Sequence, residues 1–214
     1  MDDDQFDSAL IGMAMTQAEA LGWHRVTVAG AAREAALPLD RARARFPVRA
    51  AILSKLGLLA DQAALVDEGS TGTTRERLFD VLMRRFDVFQ QYRGGVRMVL
   101  RGLPFDPGMA LMLAGATQTS MAWMAQAAGL DTGGVAGALR VSGLVGVWLQ
   151  TLRAWDRDDS ADLSGTMVAL DRALDRAESV GRFLGGSFSS GPPSDIEAGG
   201  PGEPFVPEPL PTVS

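Results

Sequence analysis

Apolar residues recur along this chain at helical spacing, and no stretch sustains the alternation of a half-buried strand. Phe6, Leu10, Met13 and Leu21 lie near one face of a first helix, and Gly22 suits its C-terminal cap. Thr27 predicts the start of a short helix to about Ala35, after which Pro38 breaks the chain. Leu39 to Arg45 predicts a second short helix, ended at Phe46-Pro47 because a residue before proline disfavours helical geometry. A longer helix comes next, from about Val48 to Val66, and Gly69 to Thr74 is a polar break. Thr73 or Thr74 then caps a helix carrying Leu78, Leu82, Phe86 and Phe89 at helical spacing. Gly94-Gly95 and the Pro104 to Pro107 stretch punctuate the middle of the chain. Helices are predicted from about Gly108 to Ala128 and from about Val135 to Asp156. Ser160 caps the last helix, with Leu163, Met167, Leu170 and Leu174 as its stripe. The fold class is therefore all-α, with about nine helices.

Composition narrows the chemistry. The 214 residues include no cysteine and a single histidine, His24, so thiol catalysis, disulfides and Cys- or His-rich metal sites are unavailable. No Gly-x-Ser-x-Gly elbow, Walker loop or Gly-x-Gly-x-x-Gly fingerprint is present. An enzyme is not expected, nor a metal or cofactor. The acidic opening Met1-Asp2-Asp3-Asp4 is unlike a secretory signal, and no uninterrupted apolar run is long enough to span a bilayer. A cytoplasmic protein without integral membrane association is expected.

Charge is unevenly spread. The net charge is −6, yet the window from His24 to Lys55 holds seven basic and two acidic residues, an excess of +5. Residues 185–214 carry seven of the eleven prolines and four acidic side chains with no basic one, and are predicted to be a disordered tail. Asp156, Asp158, Asp159 and Asp162 form an acidic knot before the last helix, where negative charge favours a helix N-terminus.

Three helices within the first 50 residues, with a tight turn between the second and third, make a helix-turn-helix pattern. In that motif the second helix of the pair enters the major groove, which here is Leu39 to Arg45. At about 100° per residue, Arg41 and Arg45 share a face and Arg43 points away from it. The chain here resembles the TetR family of regulators. The resemblance rests on Gly22-Trp23, Val26-Thr27-Val28, Ala31-Ala32, the turn Ala36-Leu37-Pro38 and Phe46-Pro47, over about residues 6 to 60. It departs where Ala36, Pro38 and Arg43 replace the usual Gly, Ser or Thr, and Tyr. It implies a homodimeric repressor that binds a double-stranded DNA operator through a domain at residues 1–60. A helical ligand-binding and dimerisation domain would occupy residues 61–184. The candidate DNA contacts are Arg25, Thr27, Arg41, Arg45, Arg49 and Lys55, mostly to phosphate.

The later part, above all Trp155 to Arg172, is similar to the lipid-binding accessory family of coenzyme Q (ubiquinone) biosynthesis, itself TetR-like in fold. Arg77-Leu78, Leu103-Pro104 and Ser120-Met121 extend the similarity. It implies an alternative, a TetR-fold lipid carrier that does not bind DNA. Phe86, Phe89, Met121, Trp123 and Met124 are the candidates to line a site for an apolar small molecule or lipid, since methionine adapts to irregular apolar pockets. The penultimate helix is dense in small residues, which suits close approach of another helix. In a TetR-like domain the last two helices make the two-fold interface, which would place Val141, Leu144, Val145, Leu170 and Leu174 there.

Overall fold

The structure is a computed structural model and describes residues 1–66 and 72–183, with side chains as far as residue 179. The expected tail at 185–214 and most of the break near residue 69 lie outside the described residues. Among the described residues there are nine α-helices and no strand. They are α1 Asp3–Leu21, α2 Val28–Glu34, α3 Leu39–Arg45, α4 Ala50–Ala64 and α5 Thr74–Gln91. Then come α6 Arg93–Gly102, α7 Pro107–Ala127, α8 Gly134–Arg157 and α9 Ser164–Phe183.

Side-chain caps fix four of the helix starts. Asp2 and Gln5 form a reciprocal box at α1, and Thr73 and Glu76 form another at α5. The Thr27 hydroxyl accepts from the Gly30 amide at 3.0 Å and starts α2. Asp106 caps α7, whose first residue is Pro107. Gly22, at φ +86°, ends α1 where a side chain would be strained. Ala36 holds the left-handed geometry of the α2–α3 turn at φ +53° with no such freedom.

Helices α1 to α3 form a small head. Phe6, Leu10, Ala31, Leu37, Ala42 and Phe46 meet in its core, whereas Leu21 stays half-exposed. Helix α4 leaves the head and packs on α5 and α7, while α8 and α9 pair along their length. One continuous apolar core joins the head to the body, from Phe6 to Leu174. Gly94 and Gly95 do not punctuate the chain as expected but sit in the first turn of α6. They let α6 press on α1: a Cβ on Gly95 would fall 2.6 Å from the Met15 carbonyl oxygen. Helix α8 is long and apolar enough to cross a membrane by length and composition. Here it packs within the bundle, burying Val141, Leu144, Val147, Trp148, Thr151 and Trp155.

Candidate nucleic-acid interface and ligand cavity

The head has the geometry of a helix-turn-helix, with α3 lying across α2 and its outer surface open. That outer surface carries Leu39, Asp40, Arg43 and Ala44. Arg25 and Arg33 are exposed beside it, as is Thr27. Arg41 and Arg45 do share a face, but it is the inner one. Arg41 reaches Asp3 at 2.5 Å, donates to the Asp2 carbonyl at 3.0 Å, and covers the Phe6 ring. Arg45 grips Asp7 with two hydrogen bonds, Nε to Oδ1 at 2.5 Å and Nη2 to Oδ2 at 2.7 Å. It also pairs with Asp3, and Lys55 of α4 closes the cluster on Asp7. Arg49 donates to the carbonyls of Trp23 and His24.

This placement differs from the expectation of six outward-facing contacts. Arg41, Arg45, Arg49 and Lys55 tie α3 and α4 to α1 and the turn after it, and only Arg25 and Thr27 of the six stand open. The reason is the acidic start of α1. Asp3, Asp7 and, from the body, Asp106 lie against these cations and cut the local excess of positive charge from five to two. Burial pushes the Asp7 carboxyl up, but the hydrogen bonds from Arg45 and Lys55 outweigh it and hold the group below the usual carboxylate range.

The body holds an open cavity of about 580 Å³ between α4, α5, α6, α7 and α8. Leu56, Phe89, Val99, Leu113, Val145 and Trp148 are among its apolar walls. Of the five ligand candidates, Phe89 lines it. Phe86 is buried beneath, stacked on Trp148 with ring centroids 4.4 Å apart. Met121 and Met124 are fully buried core residues outside the lining, and Trp123 is 58 % exposed on the outer surface of α7. The cause is rotational. The cavity face of α7 carries Ala110, Leu113, Thr117 and Ser120, and one residue further on is about 100° away.

A polar cluster that sequence reasoning missed also lines the cavity. Arg85 of α5 is only 4 % exposed and ion-pairs with Asp61 of α4, whose Oδ2 accepts from the Ser120 hydroxyl at 2.6 Å. The guanidinium lies 4.8 Å from the Trp148 ring centroid. Burial lowers its pKa to about 10, which leaves it charged at neutral pH. The available signal is a charged residue on the apolar stripe of Leu78, Leu82 and Phe89.

The five interface candidates also sit differently from the expectation. Val141, Leu144, Leu170 and Leu174 are buried by their own chain where α8 meets α9, and Val145 lines the cavity. The face that α8 leaves open carries Val135, Leu139, Gly143, Gly146 and Leu149. The acidic knot is a structural turn. Asp158 accepts from the amides and hydroxyls of Ser160 and Thr166, while Asp156 and Asp159 meet Arg97 and Arg93. Burial raises the Asp158 pKa, but the four hydrogen bonds prevail and bring it to about 2.

No protein-family model matches the chain, and no curated protein matches it significantly. Among solved structures it is similar to a TetR transcriptional regulator from Nitrosomonas europaea ATCC 19718, with a TM-score of 0.67 and 23 % identity. That match covers 81 % of this chain and 98 % of the other. It is also similar to a TetR-family transcriptional regulator from Streptomyces coelicolor, with a TM-score of 0.59, 17 % identity, and 86 % and 85 % of the two chains covered. The fold is TetR-like.

Proposed function

We propose that the chain is a cytoplasmic, homodimeric DNA-binding regulator, a repressor released by an apolar ligand. The observation that carries this reading is the direct mechanical path from cavity to head. Helix α4 lines the cavity at Leu53, Leu56 and Asp61, and the same helix holds the head through Lys55 and Asp7. An occupant that shifts α4 shifts the head with it and so selects between two inter-head spacings. Arg25, Arg33 and Arg43 make the phosphate contacts with Thr27, while Arg41, Arg45 and Lys55 position α3. The open row on α8 is buried by a second copy. Among the described residues a Cβ on Gly143 or Gly146 meets nothing within 4 Å, so packing against them does not require either glycine. Each costs a helix about 1 kcal/mol relative to alanine, which close approach of a partner helix offsets.

The test is retention of DNA fragments from the chain's own locus at ~50 mM and ~200 mM salt. One upstream fragment held at low salt, lost at high salt and lost in Arg25→Ala/Arg43→Ala is expected. No retention above random fragments sinks the DNA reading and leaves the lipid carrier, for which the internally paired Arg41 and Arg45 are the supporting observation. Sedimentation of Leu139→Glu tests the dimer: a variant as dimeric as the wild type refutes the α8 row.

A further inference from the structure

In a helix-turn-helix the second helix turns its outer surface to the groove, and on α3 that surface is centred on two side chains. Ala42, 1 % exposed, marks the direction that points into the head. Asp40 and Ala44 stand two positions before and after it, each about 200° round the helix and so within about 20° of directly outward. Arg43 lies about 100° from Ala42, on one flank, and its guanidinium donates back to the Pro47 carbonyl. Arg41 and Arg45 are held on the other flank by Asp3 and Asp7. The Asp40 carboxylate is exposed, and no hydrogen bond or ion pair engages it among the described residues. The most outward polar group of α3 is therefore a free acceptor with the methyl group of Ala44 beside it.

A carboxylate set between two rows of phosphates is repelled by both, so it suits a groove only where a base donates to it. The major-groove edges offer two such donors, the amino groups of cytosine and adenine, whereas guanine and thymine present acceptors there. Adenine sets its N7 acceptor beside the amino group, which an acceptor-only carboxylate opposes. Cytosine has no acceptor of its own on that edge. Aspartate is short, so the helix has to lie deep in the groove to reach a base, and the small Ala44 permits that approach. We propose that Asp40 reads sequence: its carboxylate accepts a hydrogen bond from the N4 amino group of a cytosine in each operator half-site. This inference rests on the chain being a DNA-binding regulator, and it adds a base contact to the phosphate contacts of Arg25, Arg33 and Arg43.

The experiment selects sequences from a duplex library of about 20 random base pairs, room for two half-sites one helical turn apart, on the full-length wild type, Asp40→Asn and Asp40→Ala. Asp40 is exposed, so both variants keep the fold, which circular dichroism checks. The wild type is expected to fix a C·G pair at one position of each half-site, and any other pair there should weaken binding about 5- to 150-fold. Asparagine sets a donor beside its acceptor and matches adenine N6 and N7, so Asp40→Asn should fix an A·T pair at that same position. Asp40→Ala should lose the preference there and hold unrelated duplexes more tightly, because no carboxylate repels their phosphates. If Asp40 only balances charge at the start of α3, both variants weaken all sequences alike and select the same one as the wild type, and the inference is overturned. A responding position at which the wild type selects a base other than cytosine overturns it as well. No sequence enriched by the wild type refutes the DNA-binding reading itself, and the inference with it.

Discussion

Asp7→Asn isolates the central tie of the head. The Asp7 side chain is 9 % exposed and takes two hydrogen bonds from Arg45, at 2.5 and 2.7 Å, and one from Lys55. Asparagine keeps the shape, removes the charge, and turns an NH2 group towards one of the cations. A hydrogen bond to a charged group contributes about 1.5–3 kcal/mol, and a buried pair broken on one side costs about 3–5. Arg45 and Lys55 are 22 % and 30 % exposed, so water recovers part of that loss. The net cost is about 2–3 kcal/mol. Asp3→Asn is the control: Asp3 touches the same Arg45 but is 62 % exposed, so water screens the pair and its loss costs less than that of Asp7. Urea unfolding followed at the buried Trp23 and by circular dichroism reads both variants. With a slope of about 2 kcal/mol per molar, Asp7→Asn should lower the midpoint by about 1–1.5 M. The Asp7 carboxyl titrates below its unfolded value, so its contribution is complete above about pH 5. That contribution is lost as pH falls through the depressed folded value, and Asp7→Asn should flatten this acid limb. A midpoint loss no larger than that of Asp3→Asn refutes the argument that burial makes Asp7 the tie.

Further outcomes are expected elsewhere. Ala36→Gly relieves a left-handed alanine and should raise stability by about 0.5–1 kcal/mol, read as a melting shift of about 2 °C. Gly95→Ala should cost about 2 kcal/mol, because its Cβ would meet the Met15 backbone and side chain at 2.6 and 2.7 Å. Gly115→Ala, with nothing among the described residues within 4 Å, should stabilise by up to about 1 kcal/mol in the same urea assay. Asp158, at about 2, holds the α8–α9 turn at neutral pH and releases it as pH falls from about 5 towards 2. Asp158→Ala should therefore destabilise the protein at pH 7 and leave it little changed near pH 2, as seen in parallel thermal melts.

What the sequence displays and what it conceals divide along physical lines. Helix starts depend on one side chain and the amides just after it, so Thr27, Thr73 and Pro107 can be read directly. The α6 start cannot, because glycines that usually break a helix are required there by contact with α1, which lies some 80 residues earlier in the chain. The same distance problem hides the pairing of the α3 cations: Arg45 meets Asp7 across 38 residues. The cavity face of α7 is illegible because that helix is apolar on several sides, so periodicity does not select one. On α5 the signal is there but ambiguous: a charge among apolar stripe residues marks either a surface edge or a buried polar site, and Arg85 is the second.

The two glycines at the start of α6 also determine where the molecule can bend. With Gly95 seated against the backbone of Met15, α1 and α6 form one stiff strut, and the boundary near residue 60 is not a line of weakness between head and body. Val96, Val99 and Leu100 on that strut face the cavity. Two helices, α4 and α6, thus run from the cavity wall to the head and grip its first helix, α1, from different sides.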